Sequence, residues 1–296
     1  MRLDELPTSD RIEDRRGGLN RIPGGRGGIG IGTIVVLGLI GWALGIDPRV
    51  LIGGAEILSG SGETQQRTEA GSTGAPSDEM GHFVSAILGS TEVEWKDVFA
   101  KAGKTYQPPT LVMFSGATQS ACGFAQAAMG PFYCPNDQKV YLDTSFFQDL
   151  ERRFRACDVG SKTCQFSQAY VIAHEIGHHV QNQLGLLTKV QEAQRGMEKA
   201  DANALQVRVE LQADCLAGVW ANRAQAKWQF IEPGDVESAL QTASAIGDDR
   251  LQRRTQGYVV PDAFTHGTSA QRTRWFMTGL KSGQVASCDT FRAEQI

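Results

Sequence analysis

The chain has 296 residues, with 29 Lys and Arg against 33 Asp and Glu and a formal net charge of −4. That length suffices for one sizeable domain with appendages, and the acidic balance gives no electrostatic reason to expect a nucleic-acid partner. A hydrophobic content of 41% is ordinary for a globular protein, so function has to be read from local features.

Residues 1–26 are short in large apolar side chains and rich in Arg, Asp and Gly. No helical or strand period is visible, and the segment is expected to be a disordered cytoplasmic tail. From Gly27 to Ile46 the chain carries no charge. About 20 such residues match the length of a helix across a bilayer, and membrane helices tolerate glycine better than soluble ones. One transmembrane helix is therefore expected over residues 27–47, with Trp42 at the far interface. Gly28-x-x-x-Gly32 and Gly41-x-x-x-Gly45 would let two such helices approach, which suggests a homodimer through the span. Arg2, Arg11, Arg15, Arg16, Arg21 and Arg26 precede the run. The positive-inside rule then predicts a single-pass protein of the cytoplasmic membrane, its N-terminus in the cytoplasm and the rest periplasmic or extracellular. A cleaved signal peptide is the competing reading, disfavoured by the length of the apolar run and of the region before it.

Residues 48–79 contain Ser59-Gly60-Ser61-Gly62 and Gly71-Ser72-Thr73-Gly74, the composition of a flexible linker. The globular domain is expected over residues 80–296. All six cysteines lie in it: Cys122, Cys134, Cys157, Cys164, Cys215 and Cys288. An even number in an exported domain suggests disulfides. Sequence proximity favours Cys122–Cys134 and Cys157–Cys164, leaving Cys215–Cys288, among many possible connectivities. A zinc–thiolate site is the alternative, but no Cys-x-x-Cys pair supports it.

His82–Leu88 and Val93–Ala102 are predicted helices, and Thr110–Phe114 and Lys139–Asp143 are predicted strands. Gly130-Pro131 and Cys134-Pro135-Asn136-Asp137 supply turn chemistry between the strands. Lys139–Asp143 is a candidate edge strand, and an edge can hold an extended peptide by its free backbone groups. His82 is distant from the other candidates and reads as an ordinary surface histidine.

A helix is predicted from Phe166 to Leu184, where Ala169, Ile172, Ala173, Ile176 and Val180 recur at helical spacing and Gly185 ends the run. It carries Ala173-His174-Glu175-Ile176-Gly177-His178-His179. His174 and His178 are four apart and share a face. Two converging imidazoles suit Zn²⁺. Glu175 borders that point without being forced to bind, where a base acting on a metal-activated water belongs. His179 breaks the ligand face and is expected to be exposed or to stand behind the ligands. The bland alternative, a helix with solvated histidines, sits poorly with the apolar neighbours.

A second long helix is predicted from Glu192 to Trp228. Glu210 and Asp214 are four apart on it, beside Ala213 and Ala217. Carboxylates in an apolar stretch need a partner. Glu210 is the expected third zinc ligand, and Asp214 the acceptor that fixes the tautomer of a ligand histidine. A third helix follows Glu232-Pro233-Gly234-Asp235 and runs to Arg254, with Asp248, Asp249 and Arg250 expected on a solvated face or in a local ion pair. Gly257-Tyr258-Val259-Val260-Pro261 breaks it. Thr268-Ser269-Ala270-Gln271 has capping-box spacing and opens a fourth helix. His266 lies in the loop just before, where functional groups are often placed.

Together Ala173–Gln181, Glu210–Gly218 and Thr265–Phe276 resemble the neutral zinc metallopeptidases of bacteria, as do Ser120–Gly123, Gly130–Pro135 and Ser287–Phe291. His-Glu-x-x-His followed by Glu-x-x-x-Asp is similar to the thermolysin-like, glutamate-liganded class. The resemblance implies an α+β fold: a mainly helical, zincin-like metallopeptidase domain with a small sheet, behind one membrane anchor. It implies one Zn²⁺ per chain on His174, His178 and Glu210, and hydrolysis of a peptide or protein substrate with Glu175 as base. It also implies a downstream electrophile for the oxyanion, with His266 the first candidate and Tyr258 the second. Two other functions compete: a membrane-tethered binding or scaffold module with a structural zinc, and a hydrolase of peptidoglycan peptides.

Overall fold

The computed structural model describes residues 1–16, 72–126, 130–147 and 163–296. The expected span at residues 27–47, its dimer motif and the linker up to residue 71 lie outside the described residues. Among those described, no helix is long and apolar enough to cross a membrane.

The described chain is mainly helical with a small mixed sheet. Strands β2 (Ser72–Thr73), β1 (Ile12–Asp14) and β3 (Thr110–Phe114) run from one edge of the sheet to its centre. Strands β4 (Ala117–Ser120) and β5 (Gly123–Gln126) form a separate hairpin. Strands β6 (Phe132–Cys134) and β7 (Lys139–Asp143) complete the sheet in the order β2-β1-β3-β7-β6. β1, β3 and β7 run parallel, with β2 and β6 antiparallel at the edges. Leu111–Phe114 are all buried, as a continuous apolar run in parallel pairing requires. Lys139–Asp143 is thus not an edge strand. The turn through Gln138, at φ 57°, folds β6 back onto it, and β6 takes the edge.

Residues 1–16 are not a disordered tail. Met1, Leu6 and Ile12 are buried in the core, and β1 inserts between β2 and β3. The backbone N–H of Leu111 donates to the Arg11 carbonyl at 2.9 Å, and that of Arg15 to Met113 at 2.8 Å. Ser9 donates its hydroxyl to Glu92 at 2.5 Å. The strand is charged in sequence, but its charges are paired. Glu13 meets Arg15 at 2.8 Å and Lys139 at 2.9 Å, and Arg16 bridges Asp14 at 2.7 Å and Asp78 at 2.8 Å. Residues 1–16 therefore belong to one folded unit with residues 72–296, and the unit is not confined to the stretch from Met80 onward.

Helix α1 (Glu79–Lys101) joins the two predicted helices into one. Across their junction the hydroxyls of Ser90 and Thr91 bond back to the carbonyls of Ile87 and Leu88, both at 2.7 Å. Helix α2 (Thr163–Gln183) holds the His-Glu-x-x-His residues. The next predicted helix is two, α3 (Leu186–Gln194) and α4 (Lys199–Trp228), parted at Gly196 with φ 84°. The third is also two, α5 (Asp235–Ala245) and α6 (Asp248–Gln256). Helix α7 (Ser269–Ser282) begins with the expected capping box between Thr268 and Gln271.

α2 and α4 approach closely because neither carries bulk at the crossing. A Cβ on Gly177 would meet the Ala213 Cα at 3.1 Å. α7 packs on α4 in the same way, since a Cβ on Gly279 would strike the Cys215 carbonyl. Disulfides Cys122–Cys134 and Cys215–Cys288 form, with Cα separations of 5.8 and 5.5 Å. The expected Cys157–Cys164 pair lies partly outside the described residues, since Cys157 is not among them. No described cysteine is free.

Candidate metal centre

The Gly177–Ala213 crossing puts His174 and His178 of α2 opposite Glu210 of α4. Their ligand atoms lie within 4.8 Å of one another. The His174 and His178 Nε2 atoms are 3.2 Å apart, and Glu210 Oε2 is 3.2 Å from the first and 3.4 Å from the second. A tetrahedral shell with bonds of about 2.0–2.1 Å has edges of about 3.3–3.4 Å, so these spacings fit a small tetrahedral cation.

The partners behind the ligands say which atoms carry protons. Asp214 is fully buried and accepts from His174 Nδ1 at 2.8 Å. An ionised carboxylate only accepts, so His174 Nδ1 carries a proton and Nε2, turned to Glu210, is the nitrogen left to bind a metal once its own proton is lost. Arg272 Nε and Nη2 donate to the two oxygens of Asp214, both at 2.9 Å, and the Tyr170 hydroxyl donates to it at 2.5 Å. Burial would raise the Asp214 pKa, but Arg272 and His174 hold it down at about 2. Gln206 Nε2 donates to Glu210 Oε1 at 3.0 Å, which leaves Oε2 turned to the histidines. Burial would lower the His174 pKa, yet the charge and hydrogen bond of Asp214, with Glu210, raise it to about 10. A metal binds here in competition with a proton. Three ligand atoms thus converge in a buried place, and the donor set, two imidazoles and a carboxylate, is one that zinc takes.

Glu175 is buried beside the ligands on the wall of a cleft of about 490 Å³. Burial pushes its carboxyl above the usual range, against the pull of His174 and His178. The cleft is otherwise largely apolar, with Phe132, Leu187, Val190, Val209, Ile246 and Leu251 among its lining. The edge strand β6 forms part of its rim.

His266 also lines the cleft. Asp248 holds its loop, with Oδ2 accepting the N–H groups of Thr265, His266 and Gly267 at 2.7, 2.6 and 3.1 Å. Gly267, at φ 91°, makes the turn that aims all three. His266 Nδ1 is 3.3 Å from Asp248 Oδ1. Asp248 is therefore not on a solvated face, and Asp249 likewise accepts from the Ser269 N–H and hydroxyl at 2.7 and 2.8 Å. Tyr258 is not in the site. Gly257, at φ 84°, turns the chain away from α6, and Tyr258 is 63% exposed outside the cleft. His179 is buried rather than exposed, but it binds away from the ligands. Its Nδ1 is 3.0 Å from the Tyr133 hydroxyl and its Nε2 is 2.7 Å from the Gln107 carbonyl, so it ties α2 to β6. Desolvation in that position lowers its pKa to about 4.

Fold and site together are those of a helical domain with His-Glu-x-x-His on one helix and Glu-x-x-x-Asp on its neighbour. Residues 1–291 match the family described as "Putative neutral zinc metallopeptidase", and the chain belongs to that family. It is 45% identical over 300 residues to the uncharacterized protein YpfJ of Escherichia coli (strain K12), across 98% of this chain and 99% of the relative. It is 42% identical over 222 residues to the uncharacterized protein Rv2575 of Mycobacterium tuberculosis (strain ATCC 25618 / H37Rv), across 72% of this chain and 71% of the relative. No solved structure matches the chain.

Proposed function

We propose that the protein is a zinc-dependent peptidase. The observation that carries the reading is the convergence of His174 Nε2, His178 Nε2 and Glu210 Oε2 at 3.2–3.4 Å, with Glu175 beside them in an open cleft. Zinc at this place supplies a Lewis acid that lowers the pKa of water and polarises a carbonyl. The Glu175 carboxylate takes the proton of the attacking water and returns it to the leaving amine. His266, steadied by Asp248, stands on the cleft wall where it can donate to the developing oxyanion. The edge of β6 offers backbone groups to an extended peptide, and the apolar wall receives uncharged side chains. A structural zinc site is closed by four protein ligands, whereas three donors and a base meet here among the described residues. The test is zinc content of the purified full chain together with cleavage of a peptide library. Cleavage should disappear with a chelator and return with zinc. Stoichiometric zinc without any cleavage favours the scaffold reading.

The compartment is part of the proposal. Paired cysteines argue for an oxidising environment outside the cytoplasm. The pairing of β1 with β3 puts residues 1–16 in one folded unit with residues 72–296. That argues against a single crossing between them, and for both ends of the chain outside the cytoplasm. Of the arginines that pointed the N-terminus inward, Arg15 and Arg16 are neutralised by ion pairs within the fold. Reporters fused before Met1 and after Ile296 should give the same readout, that of the exterior. An N-terminal reporter active only in the cytoplasm, with a C-terminal one active only outside, would restore the single-pass arrangement and break the strand pairing.

A further inference from the structure

Gln181 lies one turn beyond His178 on α2 and is fully buried. Its Oε1 is 2.9 Å from His178 Nδ1. Its Nε2 donates to the Val209 carbonyl at 2.8 Å and to Gln212 Oε1 at 3.0 Å. Gln212 Nε2 in turn donates to the Cys288 carbonyl at 3.0 Å.

The orientation of both amides follows from their ends. A backbone carbonyl only accepts. Val209 therefore requires the NH₂ of Gln181, and Cys288 requires the NH₂ of Gln212. The Gln212 oxygen then faces Gln181 and fits the same arrangement. The Gln181 oxygen is left for His178, so the imidazole carries its proton on Nδ1. Nε2 is then the nitrogen turned to His174 and Glu210. Reversing either amide would set a donor against a donor or an acceptor against an acceptor in a buried place, where an unmet group is costly.

Resting on the zinc reading, we propose that Gln181 is the positioning residue for His178: its amide, oriented by the Val209 and Cys288 carbonyls, keeps His178 in the form whose Nε2 can bind a metal. Asp214 serves His174 and Gln206 serves Glu210, so each ligand has one such partner. Asp214 does its work by charge. Gln181 does it neutrally, and it also fastens α2 to α4.

Two substitutions in the full chain separate these two roles. Gln181→Met has similar length and no acceptor for His178. Gln181→Glu keeps the acceptor but gives up both donors to α4. Both should melt earlier than the parent when zinc-free, because both lose the same fastening. Only Gln181→Met should lose zinc affinity, by about 10–100-fold in competition with a chromophoric chelator. Gln181→Glu should keep most of it. Histidine ¹⁵N NMR of the zinc-loaded parent should show His178 with a proton on Nδ1, and this needs no variant to fold. Equal loss of affinity in the two variants overturns the proposal and reduces Gln181 to a fold residue, as does a parent spectrum with the proton on Nε2. A parent that takes up no zinc overturns the zinc reading itself, and this assignment with it.

Discussion

Glu175→Gln should bind zinc nearly as well as the parent and cleave essentially no peptide. The carboxylate is beside the three donors but is not one of them, so the amide leaves His174, His178 and Glu210 in place. What it removes is proton transfer, worth on the order of 10²–10⁴-fold in rate. Glu210→Gln should fail differently. It replaces a charged donor by a weak neutral one, so metal is lost first and activity follows. Asp214→Asn should weaken zinc binding by about 10–100-fold, because the acceptor that fixes His174 is altered. It should also destabilise the fold, since Arg272 is buried and would lose its counter-charge. Breaking a buried pair in this way typically costs about 3–5 kcal/mol. Zinc content, melting temperature and peptide cleavage on the three variants distinguish these outcomes. A purely structural zinc forecasts another pattern, with Glu175→Gln silent throughout. If the zinc-loaded parent cleaves nothing and Glu175→Gln changes nothing, the peptidase reading fails.

The site was legible in the sequence where spacing alone settles geometry. Four residues on a helix put His174 beside His178, and the same spacing put Glu210 beside Asp214. Ala213 reads from the sequence as keeping its helix face slim, but that Gly177 is what meets it shows only in the structure, because a helix crossing is not a local property. Arg272 lies within Thr265–Phe276, yet nothing local says that it reaches Asp214 from another helix. Asp248 reads as an acid on a solvated face or in a local ion pair, and nothing local names the loop it holds. Its three N–H partners come from a loop 17–19 residues further on. Tyr258 faces outward, and a tyrosine in a loop near a candidate site carries no signal of direction. Strand positions were legible, with Thr110–Phe114 and Lys139–Asp143 as expected. Their order in the sheet was not, because it depends on β1, whose residues read as charged and structureless. The breaks after α3 and α5 are not legible in the sequence, because helical periodicity resumes beyond each of them.

A chain shortened to begin at residue 72 should be markedly less stable than the full chain, although the sequence alone recommends a domain that starts near Met80. Met1, Leu6 and Ile12 are each no more than 6% exposed. Burying a side chain of this kind is worth about 1.5–3 kcal/mol. That gain is opposed by the entropy of ordering the segment, which backbone bonds to β3 and the ion pairs of Glu13 and Asp14 help to offset. Removal does more than return the segment to solvent. It strips β3 of a partner, exposes the bonding groups of Leu111 and Met113, and leaves Glu92 without the Ser9 hydroxyl. Lys139 loses Glu13, and Asp78 loses Arg16. A net loss on the order of 3 kcal/mol would take a large share of the stability usual for a domain, and should lower the melting temperature by about 10 °C. The metal centre is built from α2 and α4, so whatever fraction of the short chain stays folded should still bind zinc. A synthetic peptide of residues 1–16 added in excess should bind and restore part of the melting temperature, since anything that binds only the folded state stabilises it. Equal melting temperatures for the short and full chains, with no response to the peptide, would show that β1 contributes nothing to the fold and would return residues 1–16 to the status of a tail.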